Sequence, residues 1–176
     1  MSALGRHIVS LDLFTDAYRV SGRTQVATSG LLSELNSPNS DFLDLEEAYI
    51  SRIHEPGKIV ASYSEVSFRK SNINFVVLQD RRDGAITGAT QSRSLAVRTR
   101  PIQVFLTIPS FEISGSVMHD GQTAPATILV HTLGNFQAIL DAEARAALFP
   151  HVTYRGDLIL VQKEFVGIFC LAHHKE

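Results

Sequence analysis

The chain has 176 residues, 44% hydrophobic and 19% charged, with a formal charge of −2. That composition excludes a disordered chain, and the length allows one ordinary domain or two small ones. Residues 1–79 carry 7 basic and 9 acidic side chains, residues 80–101 carry 5 and 2, and residues 102–176 carry 4 and 7. Two acidic flanks argue against a broad nucleic-acid face, because phosphate binding needs clustered Lys and Arg.

In chain order, Ile8, Leu11 and Leu13 open a half-buried strand, with Asp12 on the other face. Residues 15–17 form a turn and residues 18–27 a second strand. Gly22 lies inside that strand, where a glycine marks a bulge or a close backbone approach. Leu31, Leu32 and Leu35 share one face of a short helix, which Pro38 and its Asn and Ser neighbours stop. Phe42 to Leu45 reads as a strand and residues 49–53 as another, with residues 46–48 open to either strand or helical turn. After a turn at residues 54–57, short strands follow at 58–63, 66–69 and 72–79; the last, NINFVVLQ, is rich in β-branched and aromatic residues.

Residues 80–101 form a polar linker with five arginines, longer than an ordinary connection inside a compact domain. Strands at 102–108 and 111–118 follow. Residues 126–132, ATILVHT, are β-branched enough to favour a strand, and residues 141–148, DAEARAAL, are Ala-rich enough to favour a helix. Residues 152–154, 157–161 and 164–171 complete the strands.

Part of the chain repeats. Aromatic-x-[VI]-Ser-Gly occurs at residues 18–22 and 111–115, and the anchors Phe42 and Phe136 each open a similar stretch. Gly22 to Gly115 is a step of 93 residues and Phe42 to Phe136 one of 94, as an internal duplication produces. The expected fold is therefore mainly β: two related small antiparallel β-sandwich or open-barrel halves with one or two short helices. The expected division is 1–79, a linker over 80–101, and 102–176. The stretch YRVSG…GLLSELN…DFLDLEEAYI resembles a small bacterial domain family of unassigned function. In that family an aromatic-x-[VI]-x-G strand precedes a Leu-Leu-Asn turn and a Phe-Leu-x-Leu strand. The resemblance implies a fold and carries no catalytic residues.

Candidate chemistry is sparse. Neither Ser21-Gly22 nor Ser114-Gly115 sits in a Gly-x-Ser-x-Gly elbow, so both read as structural bends. Cys170, the single cysteine, lies in the apolar run FVGIFCLA and reads as a buried hydrophobe. His119, His131, His151 and the terminal His173-His174 lack metal-ligand spacing, and surface roles suit them better than a site around His119, Asp120 and His151. Asp41, Asp44, Glu46 and Glu47 read as the solvated face of a strand. Arg93, Arg98 and Arg100 are the best candidates to meet a small anionic ligand through guanidinium forks.

No signal-like pattern occupies residues 1–16, and no apolar run approaches the ~20 residues that span a bilayer. The favoured reading is a cytoplasmic, non-enzymatic interaction or assembly module with no cofactor, metal, nucleic-acid partner or membrane insertion. It associates with itself or with a protein partner. The alternative is a regulatory protein holding a small anionic ligand between the halves.

Overall fold

In the computed structural model, which describes residues 5–85, 100–119, 124–131 and 133–171, the strands pair into a single antiparallel sheet. Among those residues ten strands are formed: β1 (Arg6–Phe14), β2 (Tyr18–Ala27), β3 (Phe42–Arg52), β4 (Glu55–Arg69), β5 (Phe75–Leu78), β6 (Arg100–Ile108), β7 (Phe111–His119), β8 (Phe136–Ala146), β9 (Phe149–Gln162) and β10 (Ile168–Leu171). Helix α1 (Gly30–Asn36) lies between β2 and β3, and helix α2 (Pro125–His131) between β7 and β8. Across the sheet the order is β10-β6-β7-β8-β9-β5-β1-β2-β3-β4.

The order hairpin, short helix, hairpin, 3-10 turn, short strand runs from β1 to β5 and again from β6 to β10; the 3-10 turns are Lys70–Asn72 and Lys163–Phe165. The expected pair of sandwich or barrel halves gives way to an open sheet that runs through both. The physical reason is β5. All four residues of FVVL are buried, so the strand needs apolar cover on both faces and a partner on both sides. It pairs with β1 through Asp12↔Val77 and Phe14↔Phe75, and with β9 through Phe75↔Val161 and Leu78↔Leu158.

Two cores result, on opposite faces of the β5–β9 junction. Val76, Leu78, Leu158 and Leu160 join a core with Leu11, Leu13, Leu31, Leu35 and Leu45 under α1. Phe75, Val77, Ile159 and Val161 join the other, with Leu106, Ile113, Ile139 and Ile128 of α2.

Several sequence expectations are corrected. Residues 126–132 do not make a strand: α2 forms with Pro125 at its first position, where the missing N–H costs nothing, and Ile128 is its buried anchor. Residues 141–148 do not make a helix. Ala142, Ala144 and Ala146 are buried in β8, and Ala144 pairs with Ile113 on one side and Tyr154 on the other. Pairing on both sides overrides alanine's helix propensity. Residues 46–48 are strand, since β3 is continuous, and β4 is one strand where two short ones were expected. The polar segment 80–101 is structured at both ends. Arg81–Gly84 is a 3-10 turn packed on α1, and β6 begins at Arg100; the rest lies outside the described residues.

Candidate functional site

The β-bulges at the two repeated glycines position much of the surface chemistry. Ser21 pairs with Tyr49 and Arg23 with Glu46, so Gly22 alone faces Glu47 and Ala48. Ser114 pairs with Glu143 and Ser116 with Leu140, so Gly115 alone faces Asp141 and Ala142. Glu47 and Asp141 take positive φ, 51° and 48°, the left-handed conformation that glycine usually supplies at the first position of a G1 bulge. There Glu47 meets Arg23 at 2.6 Å, and Asp141 accepts a hydrogen bond from Arg81 at 2.7 Å. Two more of the acidic side chains are engaged: Ser67 donates to Asp44 and Gln25 to Glu46. Nearby, Arg155 and Arg145 hydrogen-bond Glu143 and hold its carboxyl below the usual carboxylate range.

A cleft of about 610 Å³ lies on the seam where the C-terminal end of α1 meets the start of β8. Its charged lining is Asp41, Arg69, Lys70, Lys163 and Glu164. Two lysines of equivalent position build it. Each opens a 3-10 turn and reaches the carbonyl end of the short helix beside it. Lys70 Nζ donates to the Glu34 and Ser37 carbonyls at 2.6 and 3.3 Å, and Lys163 Nζ donates to Leu129 at 3.2 Å. A cation there complements the negative end of the helix dipole. Burial pushes the Lys163 ammonium pKa down.

Asn36 closes the seam: its Oδ1 accepts from the Asn135 and Phe136 backbone N–H groups at 2.8 and 3.0 Å. Gly134 passes over that amide with φ +85°, a conformation and a clearance that a Cβ would deny. We expect Asn36→Ala to cost about 1–2 kcal/mol, from the part-buried Phe136 N–H left without a partner. Urea unfolding checks this through a lowered midpoint with unchanged slope.

The predicted site residues are dispersed. Arg93 and Arg98 lie outside the described residues, as do Asp120, His173 and His174. Arg100 is the exposed first residue of β6, opposite His119. His151 is exposed on β9. Cys170 is exposed, not buried: β10 is an edge strand that turns Phe169 and Leu171 toward the core and Ile168 and Cys170 away. Phe136 is 1% exposed, under α1, whereas Phe42 is 41% exposed with Arg69 stacked on its ring at 4.7 Å. Among the described residues no three His, Cys, Asp or Glu side chains come together as a metal site, and no helix is long and apolar enough to cross a membrane.

The free edges are the features that sequence reading left without residues. β4 is a 15-residue edge strand with no buried residue, presenting Ile59, Val60 and Tyr63 at 57%, 43% and 58% exposure. β10 ends the other side with Ile168 at 56%. The repeat contained one unread signal, the 93-residue step from Lys70 to Lys163, which marks the turn before each short strand. The chain matches no family model, no curated protein and no solved structure.

Proposed function

We propose that this chain is a non-enzymatic assembly module, built from two related halves, that associates through the edges of its sheet. The observation that carries the reading is β4. It is long, flanked by exposed apolar side chains, and, among the described residues, unpaired along its outer side. Soluble proteins blunt such edges with prolines, charges or covers unless another strand is to be added there. Its one proline, Pro56, stands at the start, and the stretch from Ile59 to Ser64 holds no charge. A second, lesser reading places a small anionic ligand in the seam cleft, beside Arg69, Lys70 and Lys163. The ammonium groups there already serve helix carbonyls, and Asp41 and Glu164 offset their charge, so the edge reading is preferred. A cytoplasmic setting suits a chain with one cysteine.

Native mass spectrometry of untagged protein purified from its own host tests both. Masses at multiples of 19.4 kDa, or with a second protein attached, are expected. An added mass of ligand size on a single chain would favour the cleft instead. A bare single chain at high concentration would remove the assembly reading.

A further inference from the structure

Among the described residues the β5–β9 junction inside the chain has no counterpart at the two edges of the sheet, although both strands that would make one are present. β10 sits on β6 as β5 sits on β1: Ile168↔Thr107 and Cys170↔Phe105 repeat Phe75↔Phe14 and Val77↔Asp12, each residue shifted by 93. On the other side, β4 lies on β3 much as β9 lies on β8. Leu43↔Phe68 and Leu45↔Val66 recur as Gln137↔Val161 and Ile139↔Ile159. β5 spends its outer side on β9, whereas among the described residues β10 and β4 end the sheet with theirs unused.

We propose that β10 of one copy adds to β4 of a second copy, in the antiparallel register that β5 and β9 use within the chain. Shifted by the same step, that register sets Ile168 opposite Phe68, Phe169 opposite Ser67, Cys170 opposite Val66 and Leu171 opposite Glu65. The inference rests on the assembly reading and names the partner as this chain itself. Side chains at both ends fit it. Ile168 and Cys170 point outward from β10, toward where Val66 and Phe68 rest half-buried against their own core. α2 packs beside β10 and leaves Val130 exposed at 78%, and Leu133, beyond the helix on the same half of the chain, is 91% exposed. At the receiving end Phe42 is exposed, at the position where Phe136 covers the first core across the internal seam.

The copy differs from its template in one respect. β9 faces the first core with Leu158 and Leu160, and β4 has Glu65 and Ser67 at those places. The contact between chains therefore buries less apolar surface than the internal one, and it is weaker and concentration-dependent. Because β10 and β4 are different surfaces, the contact is head-to-tail and propagates until it closes.

The single natural cysteine makes the register testable. Val66→Cys puts a second thiol directly opposite Cys170 of the neighbouring copy, where facing side chains lie about 5 Å apart at Cβ. Ile59→Cys is the control, displaced along β4 by roughly 23 Å. After mild oxidation, the Val66→Cys protein is expected to give non-reducing bands at multiples of 19.4 kDa, and the control is not. Peptide mapping of those bands is expected to show a disulfide from position 66 of one chain to Cys170 of another. Multimers without that link would overturn the register and leave the assembly reading standing. A single-chain mass with no link would overturn both. The same disulfide formed within one chain would show that β10 closes on its own β4, and would remove the second copy. Ile168→Lys, at an exposed position, provides an independent arm. It is expected to shift the mass to a single chain with an unchanged thermal midpoint, and multimers that persist in it would overturn the proposal.

Discussion

Gly115→Ala is expected to destabilise the protein by about 3 kcal/mol, while the matching Gly22→Ala stays within about 0.5 kcal/mol of the parent. A Cβ at residue 115 would stand 2.6 Å from Ile139 Cγ2, 2.8 Å from the Leu140 carbonyl oxygen and 3.0 Å from Ala142 Cβ. One obstacle is backbone, and the other two belong to side chains fixed in the core at 0% and 3% exposure. Nothing there can step aside without moving β8. At residue 22 the closest atoms are the Glu46 carbonyl oxygen at 3.3 Å and Leu45 Cβ at 3.4 Å. A shift of a few tenths of an ångström accommodates those contacts. Replacing glycine also narrows the unfolded ensemble, a gain of roughly 0.4–1 kcal/mol that offsets the small strain at Gly22 and not the large one at Gly115. Urea titrations of the two variants decide the matter. Equal losses would mean that the two bulges are packed alike and that the asymmetry has no energetic weight.

That asymmetry also marks how far the sequence could be read. The spacing of Gly22 and Gly115 exposed a shared backbone requirement, because a glycine inside an apolar strand is a local signal. How tightly each is packed depends on residues of the neighbouring strand, Leu45 and Glu46 for Gly22 and Ile139 and Ala142 for Gly115, which have no local signature. The same limit explains the two elements read wrongly. ATILVHT carries β-branched residues, yet Pro125 and a single buried Ile128 make it a helix. DAEARAAL carries helix formers, yet it pairs with β7 and β9 on either side and buries Ala142, Ala144 and Ala146. Burial of Ile128 in the first and pairing on both sides in the second outweighed a local preference of a few tenths of a kcal/mol per residue. Strands such as β1 and β2 were legible because one face is buried and the other wet. β5 was legible as a strand, but its role as the joint between two cores was not, since a run buried on both faces has no periodicity to read. The candidate site was the least legible part. Edges are defined by which strands lack neighbours, and strand order is not written in any one segment.

Phe75→Ala is expected to cause the largest loss of all, about 3–5 kcal/mol. Phe75 is fully buried and its ring stacks on Phe14 at 4.3 Å with 2° between the planes. Phe111 meets it edge-on at 4.8 Å, and Tyr154 meets Phe14 edge-on at 4.6 Å. Truncation removes the buried surface of one large side chain together with two favourable ring contacts, each worth roughly 0.5–1.5 kcal/mol beyond area. It also opens a void between strands that cannot close around it, because β1 and β9 are both held to β5 by backbone pairing. A domain of this size has a total stability of about 5–15 kcal/mol, so the variant sits near the limit of folding. The location makes the result informative beyond its size. Phe75 comes from the first half of the chain, yet it packs in the core that β6, β7 and β8 of the second half supply. If that joint couples the two cores, the variant unfolds in one transition at a much lower midpoint, with circular dichroism and tyrosine fluorescence moving together. Tyr63→Ala, on the exposed face of β4, serves as the control and should change stability by less than about 0.5 kcal/mol. Two separated transitions in the Phe75→Ala protein would mean that each half holds its own fold, and that the β5–β9 pairing only tethers them. The same outcome would weaken the case for β10 and β4 between chains, since a junction that contributes little cohesion inside the molecule is a poor model for one that must form at the cost of association.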